Sequence, residues 1–408
     1  MVKTIALAGT MDSKGKEFLF VKELIESLGF NTLIIHTGVF EPSIPIDVSN
    51  SDIASAVGAN ITDLAENKDR ARATEVLSQG MEKILPELYE AGKFDGILSL
   101  GGTGGTSMVT PGMRALPVGV PKVMVSTVAS GNTEPYVGTS DIVMVPSIVD
   151  VAGLNVISTK VFSNAVFAIT GMLSHESKTP EDRKPLIAAT MFGLTTPCIN
   201  HAKAYLEEKG YEVLVFHATG VGGQTMESLI EEGFFDGVLD MTTTELADEL
   251  VGGVLTAGPH RLEAAGTHGV PQVISPGAMD MINFGPYESV PEQFSKRNFY
   301  KHNPTVTLMR TTQEENAELG RILAEKLNQA RGNTSFFIPL QGFSGLSKKG
   351  QAFHSPENDA ALISALKQNI DQDKVTMHEM ATDINDKAFA EAAAEELVTL
   401  IERNKGAK

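Results

Sequence analysis

The feature that most constrains the fold of this chain is an internal duplication. The segment LGFNTLIIHTG (residues 28–38) closely matches KGYEVLVFHATG (209–220), and AGKFDGILSLGG (91–102) matches EGFFDGVLDMTT (232–243). A third pair, GVPKVMVST (119–127) and GVPQVISPG (269–277), follows in the same order. Matched segments in one order are typical of a repeated structural unit. The sequence therefore predicts two domains of one fold, which arose by duplication.

Both copies alternate short apolar runs with helical patterns, which predicts the fold class. Continuous apolar runs are typical of parallel strands buried on both faces, and strands alternating with helices imply parallel sheets with right-handed crossovers. We predict an α/β protein of two tandem related Rossmann-like domains, each with a doubly wound, mainly parallel sheet. The domains are 1–180 and 181–408, the boundary lies in the charged stretch 175–184, and the segment after Arg331 completes the second sheet. The first domain carries an insertion, 39–80.

Composition narrows the class of protein. The chain has 408 residues and a formal net charge of −18, which argues against nucleic acid as the main ligand because binders must displace counterions from phosphate. It has one cysteine, Cys198, so a disulfide framework is excluded and a reducing compartment fits. The start contains no signal-peptide pattern, and no stretch of about 18 apolar residues indicates a membrane span. We therefore expect a soluble cytoplasmic protein without a membrane partner.

Three loops rich in glycine and hydroxyl groups follow apolar strands of the first domain. Ligands of open α/β sheets lie beyond the carboxyl ends of the strands, and glycine-rich backbone at a helix start can hold an anion through N–H groups. A plain capped turn or a flexible loop remains the alternative for each loop alone, but together they describe one crevice. The candidate nucleotide-binding residues are Gly9, Thr10, Asp12, Ser13 and Lys14 in the first loop, Gly101, Gly102, Thr103, Gly104, Gly105 and Thr106 in the second, and Ser126, Thr127, Ser130 and Gly131 in the third.

The corresponding loops of the second domain carry threonines and acids in place of glycines. A cleft that brings carboxylates, His and Arg together could do acid–base work on an anionic substrate. The alternative is that these residues cap helices and form ion pairs. The candidate catalytic residues are His217, Glu245, Asp248, Arg261 and His302.

The histidine and cysteine residues of this sequence give weaker signals of function. His217 ends a strand, but His36 occupies the same place in the first copy, so both could be structural. Cys198 lies at a predicted helix start, where a thiol pKa can be lowered, although a buried apolar cysteine fits better. The spacing of His, Cys and acidic residues predicts no metal site.

Several strings together resemble one protein family. GTMDSKG, SLGGTGGT, PGAMDMINFG and HNPTVTLMRTT, with the long second-domain run around FFDGVLDMTTTELADELVGG, are similar to bacterial and fungal proteins related to the amino-terminal ATP-binding domain of the plant tobamovirus resistance protein. The resemblance covers essentially the whole chain. It implies two Rossmann-like domains and ATP, with Mg, on the three first-domain loops. Ser13 stands where the family is expected to have threonine, and the hydroxyl is kept. The plant antiviral role is not carried over.

Three functional hypotheses remain open. The first is an ATP-dependent enzyme acting on a small anionic metabolite in a cleft between the domains, with Arg261 holding the anion and Glu245 or His302 moving a proton. The second is a non-catalytic nucleotide-dependent protein-binding module. The third is a hydrolase or lyase whose glycine loops hold a substrate phosphate instead of ATP. In each case we expect a homo-oligomer.

Overall fold

The computed structural model describes residues 2–67, 69–175 and 183–406. The chain divides into two compact units, residues 1–179 and 180–408, and each is described by itself. The predicted boundary at 175–184 falls mostly on residues 176–182, which lie outside the described residues.

The first unit is built on a five-stranded parallel sheet in the order β2-β1-β3-β4-β5. Its central strands are buried on both faces, as their continuous apolar sequences predict. The strands are β1 (Thr4–Gly9), β2 (Asn31–His36), β3 (Gly96–Gly101), β4 (Lys122–Ser126) and β5 (Val143–Pro146).

Helices cover both faces of this sheet. Helices α1 and α7 bury residues such as Phe18 and Phe162 against one face, and α2, α4 and α5 bury residues such as Met81 and Val109 against the other. The unit is therefore a three-layer α/β/α structure. The helices are α1 (Gly15–Ser27), α2 (Asn50–Ser55), α3 (Ile61–Asn67), α4 (Arg70–Glu90), α5 (Thr103–Arg114), α6 (Glu134–Val137) and α7 (Val156–Ser174).

The second unit has a six-stranded parallel sheet and a separate three-stranded antiparallel sheet. The orders are β7-β6-β8-β9-β13-β14 and β10-β12-β11. The strands are β6 (Leu186–Met191), β7 (Glu212–His217), β8 (Gly237–Thr242), β9 (Gln272–Gly277), β10 (Met281–Phe284), β11 (Phe299–Asn303), β12 (Val306–Arg310), β13 (Thr334–Pro339) and β14 (Val375–Met380).

Helices again lie on both faces of the parallel sheet. Residues of α8 and α14 form one apolar core with it, and residues of α12 and α13 form another. The helices are α8 (Thr196–Glu208), α9 (Val221–Glu231), α10 (Glu245–Val251), α11 (Ala264–Thr267), α12 (Gln313–Asn328), α13 (Pro356–Asn369) and α14 (Lys387–Gly406).

The repeated sequence corresponds to repeated structure, and the predicted fold class is confirmed. Five strands of the second parallel sheet have the same spatial order as the five strands of the first. In chain order, the strands that correspond to β1, β2, β3, β4 and β5 are β6, β7, β8, β9 and β13. The shared FDG sequence makes the same contact twice: Asp95 accepts a hydrogen bond from Thr4 N–H (2.7 Å), and Asp236 accepts one from Leu186 N–H (2.9 Å). Each aspartate fixes the register between the first and third strands of its sheet.

Two features depart from the shared plan. Residues 281–310, for which the sequence analysis predicts no sheet of their own, contain the three strands of the antiparallel sheet. In the first unit the insertion at 39–80 contains α2, α3 and the first half of α4, where the second unit has only α9. Both are additions on a common sheet, and the insertion changes the surroundings of the strand ends.

One helix has the length and apolar composition of a membrane span. This is α7, whose most apolar window has a mean hydropathy of 1.4 and is 39% buried within the fold. It is the only such helix in the described residues, and its buried residues, including Phe162 and Ile169, pack into the core of the first unit. Core helices commonly meet the same criterion, so the finding is weak evidence for a span.

The packing of α5 on α4 requires a glycine. A Cβ at Gly112 would lie 2.7 Å from both Met81 O and Leu85 Cδ1, whereas a Cβ at Gly171 in α7 would meet nothing within 4 Å. We expect Gly112→Ala to lower the free energy of unfolding by about 1–3 kcal/mol through overpacking. We expect Gly171→Ala to raise it by about 0.5–1 kcal/mol, because glycine is unfavourable inside a helix. Denaturant unfolding measures both, and equal effects of the two variants would contradict this packing.

Candidate ligand-binding site

A cavity of about 870 Å³ lies at the carboxyl end of the first sheet. It is formed by the loops after β1, β2 and β3 together with residues of the insertion. Its lining residues are Thr10, Asp12, Ser13, Lys14, Thr37, Gly38, Val39, Phe40, Glu41, Leu64, Ala65, Asp69, Arg70, Ala73, Thr74, Gly102, Thr103, Gly104, Gly105 and Met108. The first two predicted glycine-rich loops therefore meet at one cavity.

The amino end of α5 forms one wall of this cavity. Strand β3 ends at Gly101 and α5 begins at Thr103, with Gly102 as an N-cap that supplies no side-chain hydrogen bond. The first helical hydrogen bond runs from Thr106 N–H to Gly102 C=O (2.9 Å), so the N–H groups of residues 103–105 have no partner within the helix. These N–H groups and the positive end of the helix dipole suit an anion.

The loop after β1 supplies hydroxyl groups and one cation. Ser13 Oγ donates to Thr10 Oγ1 (3.0 Å), and the side chain of Lys14 donates to the carbonyl of Val151. Gly9, which ends β1, faces inward, since a Cβ there would lie 2.1 Å from Phe18 Cζ. Gly9 therefore serves packing, and Thr10, Asp12, Ser13 and Lys14 line the cavity.

The loop after β2 is tied to the loop after β1 by hydrogen bonds from both of its ends and from side chains. Buried His36 accepts from Met11 N–H (3.1 Å) and Gly38 N–H (3.3 Å) through Nδ1. Because Nδ1 accepts, Nε2 carries the proton and donates to Phe40 C=O (2.8 Å). Asp12 Oδ2 accepts from Phe40 N–H (3.1 Å). His36 is thus a structural link between two loops of the cavity.

The insertion contributes a cation that the sequence interpretation missed. Arg70 begins α4 and lines the cavity, and a Cβ at Gly104 would lie 3.2 Å from its Nη2. A positive side chain at a helix start opposes the helix dipole, so the DRAR sequence at residues 69–72 was a usable signal. Thr37 was also missed: its buried Oγ1 has no hydrogen-bond partner in the described part of the chain.

The third predicted loop supports the second from behind. Buried Ser126 Oγ lies 2.6 Å from Thr106 Oγ1 and also accepts from Val128 N–H (3.2 Å). Thr127 is exposed, and a Cβ at Gly102 would lie 3.7 Å from its Oγ1. Ser130 and Gly131 are exposed and do not line the cavity. In this structure the third loop positions α5, and its role as a direct nucleotide contact stays a prediction.

Two of the predicted catalytic residues, Arg261 and Glu245, belong to one buried polar network in the second unit. The Arg261 side chain is 1% exposed and forms ion pairs with Asp240 (2.5 Å), Glu245 (2.6 Å) and Glu227 (3.1 Å). The charges of Asp240 and Glu245 raise the pKa of Arg261 well above its ordinary value, although burial opposes them. Its guanidinium is thus taken by carboxylates of its own unit, and its role as a clamp for a substrate anion has no geometric support here.

Glu245 is the first residue of α10, and its carboxylate lies at the amino end of α9. Its Oε1 accepts from Gly220 N–H (2.7 Å) and Gly223 N–H (3.1 Å), and a Cβ at Gly223 would collide with the carboxylate at 2.3 Å. Gly223 is therefore required for this approach. The carboxylate of Glu245 does in the second unit what a bound anion does at other helix starts.

Asp248 is a further buried carboxyl group, and its hydrogen bonds are separate from those of Arg261. It accepts from Asn283 N–H (2.7 Å) and from Leu255 N–H (3.0 Å). Burial raises the pKa of Asp248 to about 7, and the hydrogen bonds from Asn283 and Leu255 only partly oppose this rise. A proton-transfer role for Asp248 stays a prediction, since its side chain is fully buried.

The two predicted catalytic histidines lie on exposed strand ends. His217 ends β7 and contacts the ring of Phe192, with 5.8 Å between centroids. His302 lies on β11 of the antiparallel sheet, beside Tyr300. Although His36 and His217 match in the repeat, the first is buried and bonded to backbone and the second is exposed. Their shared position therefore does not mean a shared role.

The remaining reactive candidate, Cys198, is inaccessible. It lies near the start of α8 with no exposed surface, and burial, with the charge of Asp383, raises the pKa of its thiol to about 12. This agrees with a buried apolar cysteine. In the described residues no group of three or more His, Cys, Asp or Glu side chains is arranged to hold a metal ion.

The fold and this cavity define a protein of two tandem Rossmann-like units with a candidate anion-binding site in the first. The models of an uncharacterised protein family (UPF0261) match it, with the N-terminal domain at residues 3–178 and the C-terminal domain at 184–401. The chain belongs to the UPF0261 family.

Individual relatives agree with this assignment. A UPF0261 protein of Clostridium tetani (strain Massachusetts / E88) is 52% identical over 404 residues, covering 99% of this chain and 100% of the relative. A UPF0261 protein of Rhizobium meliloti (strain 1021) is 42% identical, covering 96% of this chain and 98% of the relative. The ToMV resistance protein Tm-1(GCR237) of Solanum lycopersicum is 38% identical over 96% of this chain, which corresponds to 55% of the plant protein. The resemblance stated from the sequence motifs is confirmed.

Solved structures are similar only at a coarse level. A UDP-N-acetylglucosamine 2-epimerase from Rickettsia bellii covers 99% of this chain with 96% of its own, at 10% identity and a TM-score of 0.21. Acinetobacter baumannii MurG covers 98% with 97% of its own, at 12% identity and a TM-score of 0.20. Similarity this low carries no information about ligand or reaction.

The Arg261 network makes a prediction about stability. Arg261→Met leaves the buried carboxylates of Asp240 and Glu245 without their counter-ion, which costs about 3–5 kcal/mol for a broken buried pair. The control is Arg321→Met, since Arg321 is 53% exposed and pairs with Glu318 on the same helix turn; we expect about 0–1 kcal/mol. Urea unfolding distinguishes them. Equal stability of both variants would contradict a stabilising role for this network.

The burial of Cys198 predicts its reactivity. The thiolate is the reactive form, and a pKa of about 12 leaves almost no thiolate at neutral pH. Burial also keeps reagents away from the sulfur atom. We expect almost no reaction of the native protein with a thiol-specific disulfide reagent at neutral pH, and one thiol per chain after denaturation in guanidinium chloride. Fast labelling of the native protein would contradict the described position of Cys198.

Proposed function

We propose that the first unit binds a nucleotide, with its phosphates at the amino end of α5, and that ATP is the nucleotide. The observation that carries the proposal is that helix-start N–H groups with no partner within α5 and two cationic side chains meet at one cavity. Lys14 and Arg70 both line it. Their charges complement a phosphate in a chain whose net charge is −18.

The size and polarity of the cavity support a ligand larger than a lone anion. Its volume of about 870 Å³ is within the range of about 300–1,000 Å³ that small-molecule sites occupy. Apolar side chains, including Val39, Leu64 and Met108, line it beside the polar loops. A phosphate group joined to an apolar or planar portion suits this mixture.

The side chain of Thr37 also supports a bound ligand. Its Oγ1 is buried, has no partner in the described residues, and belongs to a residue that lines the cavity. Buried polar atoms normally have a hydrogen-bond partner. A ligand hydroxyl or phosphate oxygen would supply it.

The choice of ATP comes from the family resemblance, and the donor set fits it. The N–H groups of residues 103–105, with Lys14 and Arg70, would hold phosphate oxygens, and Thr10 and Ser13 offer hydroxyl groups. The carboxylates that line the cavity are Asp12, Glu41 and Asp69, and a Mg ion that enters with the nucleotide is usually held by one or two carboxylates and the phosphates. The second-unit residues Glu245, Asp248, Arg261, His217 and His302 are not needed for this binding.

The proposal predicts nucleotide-dependent stabilisation. The melting temperature is measured with and without Mg-ATP, ADP, AMP and inorganic phosphate, because a ligand at a hundredfold excess over its dissociation constant stabilises by about 2.7 kcal/mol. Gly104→Asp places a carboxylate beside Arg70 at the helix start, and we expect it to abolish the ATP shift. Gly104→Ala adds size without charge and should keep most of the shift.

Each outcome has a distinct meaning. An ATP shift that is lost only in Gly104→Asp supports the proposed site. An equal shift in Gly104→Asp, or none in the wild type, refutes it. A shift with phosphate alone favours the hydrolase or lyase hypothesis. Turnover assays then separate an ATP-dependent enzyme from a nucleotide-dependent binding protein, in which ATP is consumed slowly or not at all.

A further inference from the structure

Phe40 is an exposed aromatic residue at the cavity, and the fold fixes it there. Its side chain is 65% exposed, and in the described residues it makes no ring–ring contact. Single exposed apolar residues are common and need no explanation. What distinguishes Phe40 is the rigidity of the backbone that presents it.

Both backbone groups of Phe40 bond to side chains of other loop residues. Its N–H donates to Asp12 Oδ2 (3.1 Å), and its C=O accepts from His36 Nε2 (2.8 Å). His36 is fully buried and linked in turn to Met11 N–H of the loop after β1. The position of Phe40 is therefore determined by the same loop that carries Thr10, Ser13 and Lys14.

The residues before Phe40 are fixed in the same way. Thr37 N–H donates to Gly9 C=O (2.8 Å), and Gly38 C=O accepts from Asn50 Nδ2 (2.7 Å). A Cβ at Gly38 would lie 2.4 Å from Asp12 Oδ2, so only glycine allows the aspartate to cross the loop and reach Phe40. A turn this constrained is preorganised, and a binding residue held in place loses less entropy when it meets a ligand.

We propose that the ring of Phe40 stacks on the planar ring of the ligand, the base of the nucleotide, and that Asp12 and His36 are its positioning residues. This inference rests on the proposed nucleotide site and adds the part of that site that contacts the base. The phosphates bind at the start of α5, and the base lies against Phe40. Stacking on an aromatic side chain accepts any base, because every base has a π-face. Phe40 thus distinguishes nucleotides from bare phosphates, and it does not distinguish one base from another.

The chain contains no tryptophan, so Phe40→Trp creates a single fluorescent reporter at the proposed contact. We expect Mg-ATP to quench this fluorescence and inorganic tripolyphosphate, which has no base, to leave it nearly unchanged. Dissociation constants for ATP and tripolyphosphate are measured by calorimetry on the wild type, Phe40→Trp, Phe40→Leu and Phe40→Ala. Phe40→Leu is the matched control because it keeps apolar bulk and loses the ring.

We expect Phe40→Leu and Phe40→Ala to weaken ATP about tenfold, in line with the contribution of base–aromatic stacking, and to leave tripolyphosphate within about twofold. Phe40→Trp should keep the ATP affinity. Asp12→Ala releases the Phe40 N–H and should lower the ratio of ATP to tripolyphosphate affinity, with little change in melting temperature. A purely structural role for Asp12 would change the melting temperature and leave that ratio intact.

The possible failures are distinguishable. If the wild type binds ATP and Phe40→Leu binds it equally well, stacking is refuted and the nucleotide site stands. If ATP quenches Phe40→Trp no more than tripolyphosphate does, the base lies elsewhere and the inference is again refuted. If the wild type binds no nucleotide, both the inference and the proposed function fail.

Discussion

The short turn between β3 and α5 determines the character of the candidate site. Only Gly102 separates the end of the strand from the start of the helix, so the positive end of α5 must lie at the carboxyl edge of the sheet. Gly101 permits this close approach, since a Cβ there would lie 3.2 Å from Gly105 Cα. The hydrogen bond between Thr106 and Ser126 then ties the helix start to β4. The cavity follows from these constraints, because the loops after β1 and β2 end at the same edge.

The second unit has the same order of strands, but different groups lie at the end of the strand that corresponds to β3. The strand equivalent to β3 is β8, and it leads into α10, whose first residue is Glu245. That carboxylate accepts from the N–H groups at the start of α9 and pairs with Arg261. In the first unit the start of α5, the helix after β3, lines a cavity. In the second unit the first residue of the corresponding helix, Glu245, places its carboxylate at the start of a different helix, α9. The two units therefore share the order of the strands and differ in the groups at the carboxyl edge of the sheet, which are a cavity in the first unit and buried carboxylates in the second.

Much of the fold could be predicted from the sequence, because its signals are local. Continuous apolar strands, the repeated FDG turn and the positive-φ glycines at equivalent places, such as Gly29 and Gly210, each reflect one short segment. The antiparallel sheet at 281–310 could not be recognised, since β11 is largely exposed and lacks an apolar run. The glycine loops were found because backbone geometry restricts their sequence. Arg70 and Thr37 were missed because their positions at the cavity depend on how the chain after β2, including the insertion, folds back on the sheet. The catalytic role of Glu245 and Arg261 stays a prediction, and their mutual burial could not be foreseen because a sequence shows charges but not which of them pair.

The occupied helix start of the second unit has a consequence for protein turnover. An internal carboxylate is present at a constant effective concentration, so the part of the chain it stabilises does not respond to the supply of any metabolite. A ligand held by the first unit would stabilise that unit in proportion to its concentration. The two halves of one chain would then differ in their resistance to local unfolding and proteolysis when the ligand becomes scarce. The first half would be the point where degradation begins.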